Sequence, residues 1–173
     1  MNSPWENEFR HRIETFEAPF SAKSKGKAIS IKIRVTSGCF HREHSPYAYR
    51  LIDARLESYP SHDKEFSFIE HESGPELLLY VALGTTGITL AKSVIDLITA
   101  IIKARSEGAK RGDRPDYPIE LIVRGFSDDG KINEEIVLKF DSLDDPVKGT
   151  IEKALKKKIG IVLGRPGKKK KKA

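Results

Sequence analysis

The sequence predicts an α+β fold: a mostly antiparallel sheet of about five strands with one long amphipathic helix packed on it, plus N- and C-terminal helices. Three observations predict this class. Short runs of alternating apolar residues recur along the chain, one long segment has helical spacing, and strands and helices do not alternate one for one. With 173 residues, 38% of them apolar, the chain can bury one core and has little room for two.

Residues 1–26 are predicted to form an amphipathic helix followed by a connector. Ser3, Pro4 and Glu6 match a helix start, with a capping serine, a proline at the first helical position and a capping-box glutamate. The apolar residues that follow lie on one helical face, and they are Trp5, Phe9, Ile13 and Phe16. This stripe either docks on its own domain or binds a protein partner or a second copy of the chain.

Residues 27–158 are predicted to form the single α+β domain. The clearest strand is residues 29–35, where isoleucine and valine alternate with polar side chains. Residues 47–56 favour a helix. Residues 66–68 and 77–83 predict two strands joined by a turn, and the second strand, apolar on both faces, is expected to be central.

The longest predicted helix follows residues 84–87 and ends near Lys103, with an apolar side and a polar side that includes Thr99. Residues 106–118 then predict a polar loop. An Asp-Gly turn at 128–130 predicts a hairpin between strands at 119–123 and 136–140, and residues 146–158 predict a last helix. The apolar run 77–102 contains glycines and charges, so it predicts two buried elements rather than one membrane span.

Composition places the chain in a reducing compartment. Residues 1–20 are charged throughout, unlike a secretory signal, and the single cysteine, Cys39, has no partner for an internal disulfide. We therefore expect a cytoplasmic protein. No cofactor and no small-molecule substrate are expected.

Positive charge is concentrated at the C-terminal end. Residues 151–173 hold ten of the 31 lysines and arginines against one acid, whereas the rest of the chain has 21 basic and 24 acidic residues. Residues 159–173 are therefore predicted to be a basic tail, disordered in water. The candidate polyanion-binding residues are Lys156, Lys157, Lys158, Arg165, Lys168, Lys169, Lys170, Lys171 and Lys172. No aromatic residue interleaves with these lysines, so any nucleic-acid binding would be blind to sequence.

One loop contains residues that suit metal or thiol chemistry. Cys39, His41 and His44 would supply three ligands of a zinc site, with His62 or His71 as the fourth, but the spacing is not a standard one. An ordinary polar loop is the favoured interpretation, and neither a metal nor catalytic residues are predicted. The glycines at 84–87 do not match a phosphate-binding loop, and the tripeptide 111–113, Arg-Gly-Asp, is set aside as an adhesion motif.

Residues 77–140 resemble a known family. The apolar strand with its Ala-Leu-Gly end at 82–84, the small polar turn at 85–87, the long helix, the basic loop and the hairpin at 128–130 follow one another in the same order. This succession resembles the effector-associated constant components of bacterial conflict systems. The resemblance implies a small non-enzymatic adaptor or signalling module linked to a separate effector, with no catalytic residues.

The leading hypothesis from the sequence is a non-enzymatic interaction module that engages a protein partner through its N-terminal helix or an exposed sheet edge. The first alternative is a sequence-nonspecific nucleic-acid-binding protein that uses the lysine tail. The second alternative is a metal- or thiol-dependent enzyme that uses the loop from Cys39 to His44.

Overall fold

In the computed structural model the chain forms a five-stranded antiparallel sheet with helices packed against it, so the α+β prediction is confirmed. The structure describes residues 7, 11, 28–36, 40–60, 66–70, 76–83, 90–114, 118–126, 131–140 and 148–162. The strands are β1 (Ala28–Val35), β2 (Phe66–Glu70), β3 (Glu76–Ala82), β4 (Ile119–Phe126) and β5 (Ile132–Phe140). The helices that these ranges contain in full are α1 (Pro46–Glu57), α2 (Lys92–Lys110) and α3 (Lys148–Val162).

The strand order is β2-β3-β1-β4-β5, and every neighbouring pair is antiparallel. Both predicted hairpins are present. As predicted, β3 is an interior strand that is buried on both faces. The middle strand is β1, whose charged side chains find opposite charges on neighbouring strands.

One face of the sheet, here called the first face, packs against all three helices. Ile31 of β1 pairs with Leu79 of β3 and Val123 of β4, and this alternation continues along the strands. The helices add apolar residues to the same core, among them Ile52 of α1 and Ile98 of α2. A sheet with an apolar face gains most of its stability by burying it under such a layer.

A bulge adjusts the last strand to this layer. Leu121 pairs with Leu138 and Ile122 with Ile136, which leaves Val137 as an extra residue in β5. Beyond the bulge, Glu135 accepts a hydrogen bond from Lys158 of α3 at 3.0 Å. The bulge therefore lets β5 contact α3 while its pairing with β4 continues.

Helix α2 is longer than predicted. Residues 106–110, expected to begin a polar loop, continue the helix because this turn is buried where α2 packs on α1, with Ser106 and Gly108 both buried. Thr99, expected on the polar side, is also buried, and its hydroxyl donates to the carbonyl of Ile95. Tertiary packing outweighed the local polarity of these residues.

Helix α3 is also longer than predicted. It continues to Val162, four residues past the predicted boundary at Lys158, so residues 159–162 are helix and not tail. The reason is burial, since Ile159 and Val162 extend the stripe begun by Ile151 and Leu155. Residues 163–173 lie outside the described residues.

The segment that ends α2 also caps the N-terminus of α1, which comes earlier in the chain. Gly112 has φ +112°, and the amides of Gly112 and Asp113 donate to the carbonyls of Ala109 and Gly108, a Schellman termination. Asp113 then accepts hydrogen bonds from the amides of Tyr47 and Ala48 at 3.1 and 2.9 Å, which caps the N-terminus of α1. The tripeptide 111–113 thus has a structural role, because its aspartate is buried.

The apolar run 77–102 includes β3 and the first half of α2, so the prediction of two elements is confirmed. Within the part of the chain that the structure describes, no helix combines the length and hydropathy needed to cross a bilayer.

We expect Gly108→Ala to lower the free energy of unfolding by about 2 kcal/mol or more, because the methyl group would overpack a tight contact. It would clash with Oδ2 of Asp113 and lie 2.8 Å from the amide nitrogen of Ala48. Urea unfolding followed by circular dichroism measures the change. Gly149→Ala in α3 is the matched control, since a Cβ there meets nothing within 4 Å. The control should stabilise by up to about 1 kcal/mol, and equal effects at both positions would contradict this account.

Candidate functional site

The opposite face of the sheet, here called the second face, combines charge with burial. Alternate residues of β1, β3, β4 and β5 form most of it, and Ser67 of β2 adjoins Tyr80 at its margin. They are Ser30, Lys32 and Arg34 of β1, Glu76, Leu78 and Tyr80 of β3, Glu120, Ile122 and Arg124 of β4, and Glu134, Ile136 and Lys139 of β5. Charged residues are rarely buried unless they are paired, so this face is the strongest candidate for a functional surface.

The first row across this face alternates in charge. Register places Glu76, Arg34, Glu120 and Lys139 side by side on β3, β1, β4 and β5. Arg34 donates to Glu120 through both Nε and Nη2, and Nζ of Lys139 lies 2.8 Å from Oε1 of Glu120. The Lys139 hydrogen bond, followed by that from Arg34, lowers the pKa of Glu120, and the same bond to Glu120 raises the pKa of Arg34. Glu120 is thereby held as a carboxylate although it is 3% exposed.

The second row is apolar apart from one lysine. Leu78, Lys32, Ile122 and Ile136 follow one another across β3, β1, β4 and β5. Lys32 is 2% exposed, and its ammonium donates to Oε1 of Glu76 at 3.1 Å. Burial, and secondly the positive charge of Arg124, lower the pKa of Lys32. This lysine is therefore poorly compensated in the folded protein.

The third row runs Tyr80, Ser30, Arg124 and Glu134. Arg124 forms an ion pair with Glu134 on the edge strand. Tyr80 and Ser30 are buried, and the hydroxyl of Ser30 has no hydrogen-bond partner. An unsatisfied hydroxyl costs free energy, so this row is not optimised for stability alone.

The chemistry open to this face is recognition. Its charges neutralise one another in pairs, and the described hydrogen bond of Lys32 is to Glu76. Buried Leu78 and Ile122, between two rows that contain charges, resemble an interface with an apolar centre and a polar rim.

The two edges of the sheet differ in how far they resist pairing. Edge strand β5 has a bulge and the charged residues Glu134, Glu135 and Lys139, which are features that discourage a further strand. Edge strand β2 has the sequence FSFIE, with its only charge at the last residue. No register shift interrupts its described pairing with β3. Of the two edge strands, β2 therefore has fewer features that resist strand addition.

The predicted protein-binding stripe lies outside the described residues, since Trp5, Phe9, Ile13 and Phe16 all fall there. Two residues of that segment are described. Asn7 and His11 are helical and exposed.

The predicted polyanion-binding residues lie partly on α3. Lys156 pairs with Glu152 at 2.7 Å and Lys158 with Glu135 at 3.0 Å, whereas Lys157 is exposed. Two of these three lysines thus have acidic partners. The remaining members lie outside the described residues, and they are Arg165, Lys168, Lys169, Lys170, Lys171 and Lys172.

The cysteine-histidine loop is described only in part. His41 and His44 are half-buried in the turn before α1, where the carbonyl of His41 accepts from the amides of His44 and Ser45. Cys39, His62 and His71 lie outside the described residues. Across the ranges that are described, no group of three or more cysteines, histidines and acids is placed to hold a metal ion.

The alternating pattern of residues 29–35 predicted a polar side for β1, but it did not indicate that Lys32 is buried there, and no pattern singled out Glu120. A signal for the network was present, because three strands carry charges of opposite sign at alternate positions that match in register. Burial of the face could not be read from that signal. The cap by Asp113 was also missed, since it joins residues more than sixty positions apart.

Neither the models of known protein families, nor the curated proteins, nor the solved structures provide a match to this chain.

We expect Lys32→Met to leave the free energy of unfolding unchanged or to raise it by about 1 kcal/mol, because methionine fills a similar volume without the cost of burying an ammonium. Glu76 is not stranded, since it also lies beside Arg34. Urea unfolding at pH 7 measures the change, and a loss above about 2 kcal/mol would contradict a poorly compensated lysine.

Glu120→Gln is expected to have the opposite sign and to cost about 2 kcal/mol at pH 7, because two cations lose a charged acceptor. The pKa of Glu120 is lowered from its ordinary value of 4.5. Its contribution is therefore present at neutral pH and is lost as the pH falls through the lowered pKa. Unfolding curves for wild type and variant should converge in acid, and a difference that persists there would refute the assignment.

Proposed function

We propose that the protein is a non-enzymatic interaction module, an adaptor that binds a protein partner at the β2 edge of its sheet. The observation that supports this most is the contrast between the two edges: β5 is bulged and has several charges, whereas β2 has no described register shift and one charge, at its last residue. By the resemblance of residues 77–140 to effector-associated constant components, the partner is a separate bacterial conflict or signalling effector. The cytoplasmic setting rests on the composition of the chain, with its charged N-terminal segment and single cysteine.

The partner segment proposed for this edge is an extended strand with apolar residues at alternate positions. Phe66 and Phe68 of β2 face the core, where Phe66 is buried and Phe68 is half-buried. An added strand would place its own alternate residues beside them on the first face. Backbone hydrogen bonds would supply affinity, and the pockets beside the phenylalanines would supply selectivity.

The test is a display library of short peptides with alternating apolar and polar residues, selected against the full chain. Peptides selected on wild type should lose about tenfold or more in affinity on Ser67→Lys, because a lysine on an edge strand discourages pairing. Ile136→Lys on the opposite edge is the matched control and should bind as wild type does. Fluorescence anisotropy measures both affinities.

Two outcomes would overturn the edge proposal. Either no peptide is selected, or the selected peptides bind Ser67→Lys as tightly as wild type. Circular dichroism and urea unfolding of both variants establish that neither change acts by unfolding the sheet.

A second function has its own supporting observation, on α3. Lys153 and Lys157 are exposed, lie four residues apart on one helical face, and have no described acidic partner. We propose that this face continues the basic cluster of residues 165–172 into a surface for a polyanion such as nucleic acid.

A mixed-sequence single-stranded oligonucleotide of about 20 nucleotides tests the polyanion proposal, since binding of this kind is blind to sequence. We expect affinity to fall steeply with added salt and to be lost when residues 167–173 are deleted, because released counterions drive the binding. Lys153→Gln with Lys157→Gln should reduce the salt slope by up to about 2, one per phosphate contact. Lys156→Gln, whose lysine is already paired, is the control and should change the slope less. Affinity that ignores salt would reject this function.

A further inference from the structure

We propose that the chain's own N-terminal helix docks on the second face of the sheet, through Trp5, Phe9, Ile13 and Phe16, and forms its missing layer. This places residues 1–26 against Leu78, Tyr80 and Ile122, within a rim of paired charges. The proposal concerns the free chain and holds whether or not a partner binds the β2 edge.

Three large side chains of the second face are buried, although no described element packs on that face. Leu78 is 8% exposed, Tyr80 2% and Ile122 0%, yet none belongs to the core cluster that the first face shares with the helices. A sheet does not bury its own face, because successive side chains stand out from it. Chain from outside the described ranges must therefore cover these three residues.

Few undescribed segments are long enough to cover the second face. The undescribed internal stretches are at most seven residues and each joins two elements, and they are residues 37–39, 61–65, 71–75, 84–89, 115–117, 127–130 and 141–147. Two of them are the turns of the hairpins, and most of the others lead to or from helices on the first face. Only the two ends of the chain can supply a layer.

The two ends of the chain differ in their charge and in their apolar content. Residues 163–173 contain one large apolar residue, Leu163, and six basic ones. On the second face these positive charges would approach Lys32, Arg34 and Arg124, and the like charges would repel one another. Residues 1–20 contain four glutamates and two arginines, so their net charge complements a face with four cations and three acids. They also contain the apolar stripe that the buried row requires.

The exposed side of the N-terminal helix is known at two positions. Asn7 and His11 are helical and exposed. At about 100° per residue, these two positions lie on the side of the helix opposite to the apolar stripe. Docking through the apolar stripe would leave this side in water, which agrees with the exposure of Asn7 and His11.

The connection also permits this docking. Strand β1 begins at Ala28, in the middle of the sheet, so the segment enters beside the face that it would cover. The connector of residues 21–27 reaches up to about 23 Å when extended. Crossing from the central strand to either edge takes only about 10 Å.

Trp5 is the only tryptophan in the chain, which makes its fluorescence a direct probe of docking in the full-length protein. We expect the emission of wild type to be blue-shifted and resistant to quenching by acrylamide. Phe9→Asp and Ile13→Asp should each shift the emission to the red and raise the quenching constant toward that of the urea-unfolded chain. Asn7→Asp, on the exposed side, is the matched control and should change neither. Circular dichroism should show the sheet intact in all three variants.

The docking site itself is mapped by a photo-crosslinking amino acid placed at position 9 or 16. Crosslinks should form within one chain and fall on residues 76–82 and 119–126. An equal mixture of isotope-labelled and unlabelled protein separates contacts within a chain from contacts between chains. Crosslinks to the helices of the first face, crosslinks between chains, or a Trp5 fully open to acrylamide in wild type would each overturn the proposal. None of these outcomes bears on peptide binding at the β2 edge, so the two proposals fail separately.

Discussion

The central strand β1 is buried on both faces, and the arrangement of the molecule follows from that constraint. Its isoleucines at positions 29, 31 and 33 meet the helices, while Lys32 and Arg34 project from the other side. An apolar face is satisfied by any well-packed layer, but buried charges need partners at fixed positions. The neighbouring strands supply those partners as Glu76 and Glu120, which is why a strand with two cations lies in the middle of the sheet.

The same charges specify the register of the sheet. The first face consists mainly of isoleucine, leucine and valine side chains. If one strand slipped by two residues relative to its neighbour, apolar side chains would still pair with one another there. On the second face such a slip would bring Arg34 opposite Ile122 and leave Glu120 without its arginine. Lys32 adds little stability because burial lowers its pKa. We interpret its place in the sheet as a matter of register and recognition rather than of stability.

The two proposals for the folded body fit together in space. Helices cover the first face, and a docked N-terminal helix would cover the second, so only the edges of the sheet would remain for a partner. Of these, β5 is bulged, charged and packed against α3, whereas β2 is short and aromatic. The basic face of α3 lies elsewhere on the molecule. A partner at the edge and a polyanion at α3 need not exclude each other.

The sequence by itself determined the fold class, the five strands and the two hairpins, because alternation and turn residues are local signals. It also determined the existence of α1, α2 and α3. Tertiary structure alone decided which strand is central, where α2 and α3 end, and that Asp113 caps a distant helix. In each case the deciding contact joins residues far apart in the chain: Gly108 with Ala48 of α1, Ile159 and Val162 with the core, Lys32 with Glu76. Periodicity distinguishes an apolar face from a polar one, but only the assembled sheet determines whether the polar face meets water.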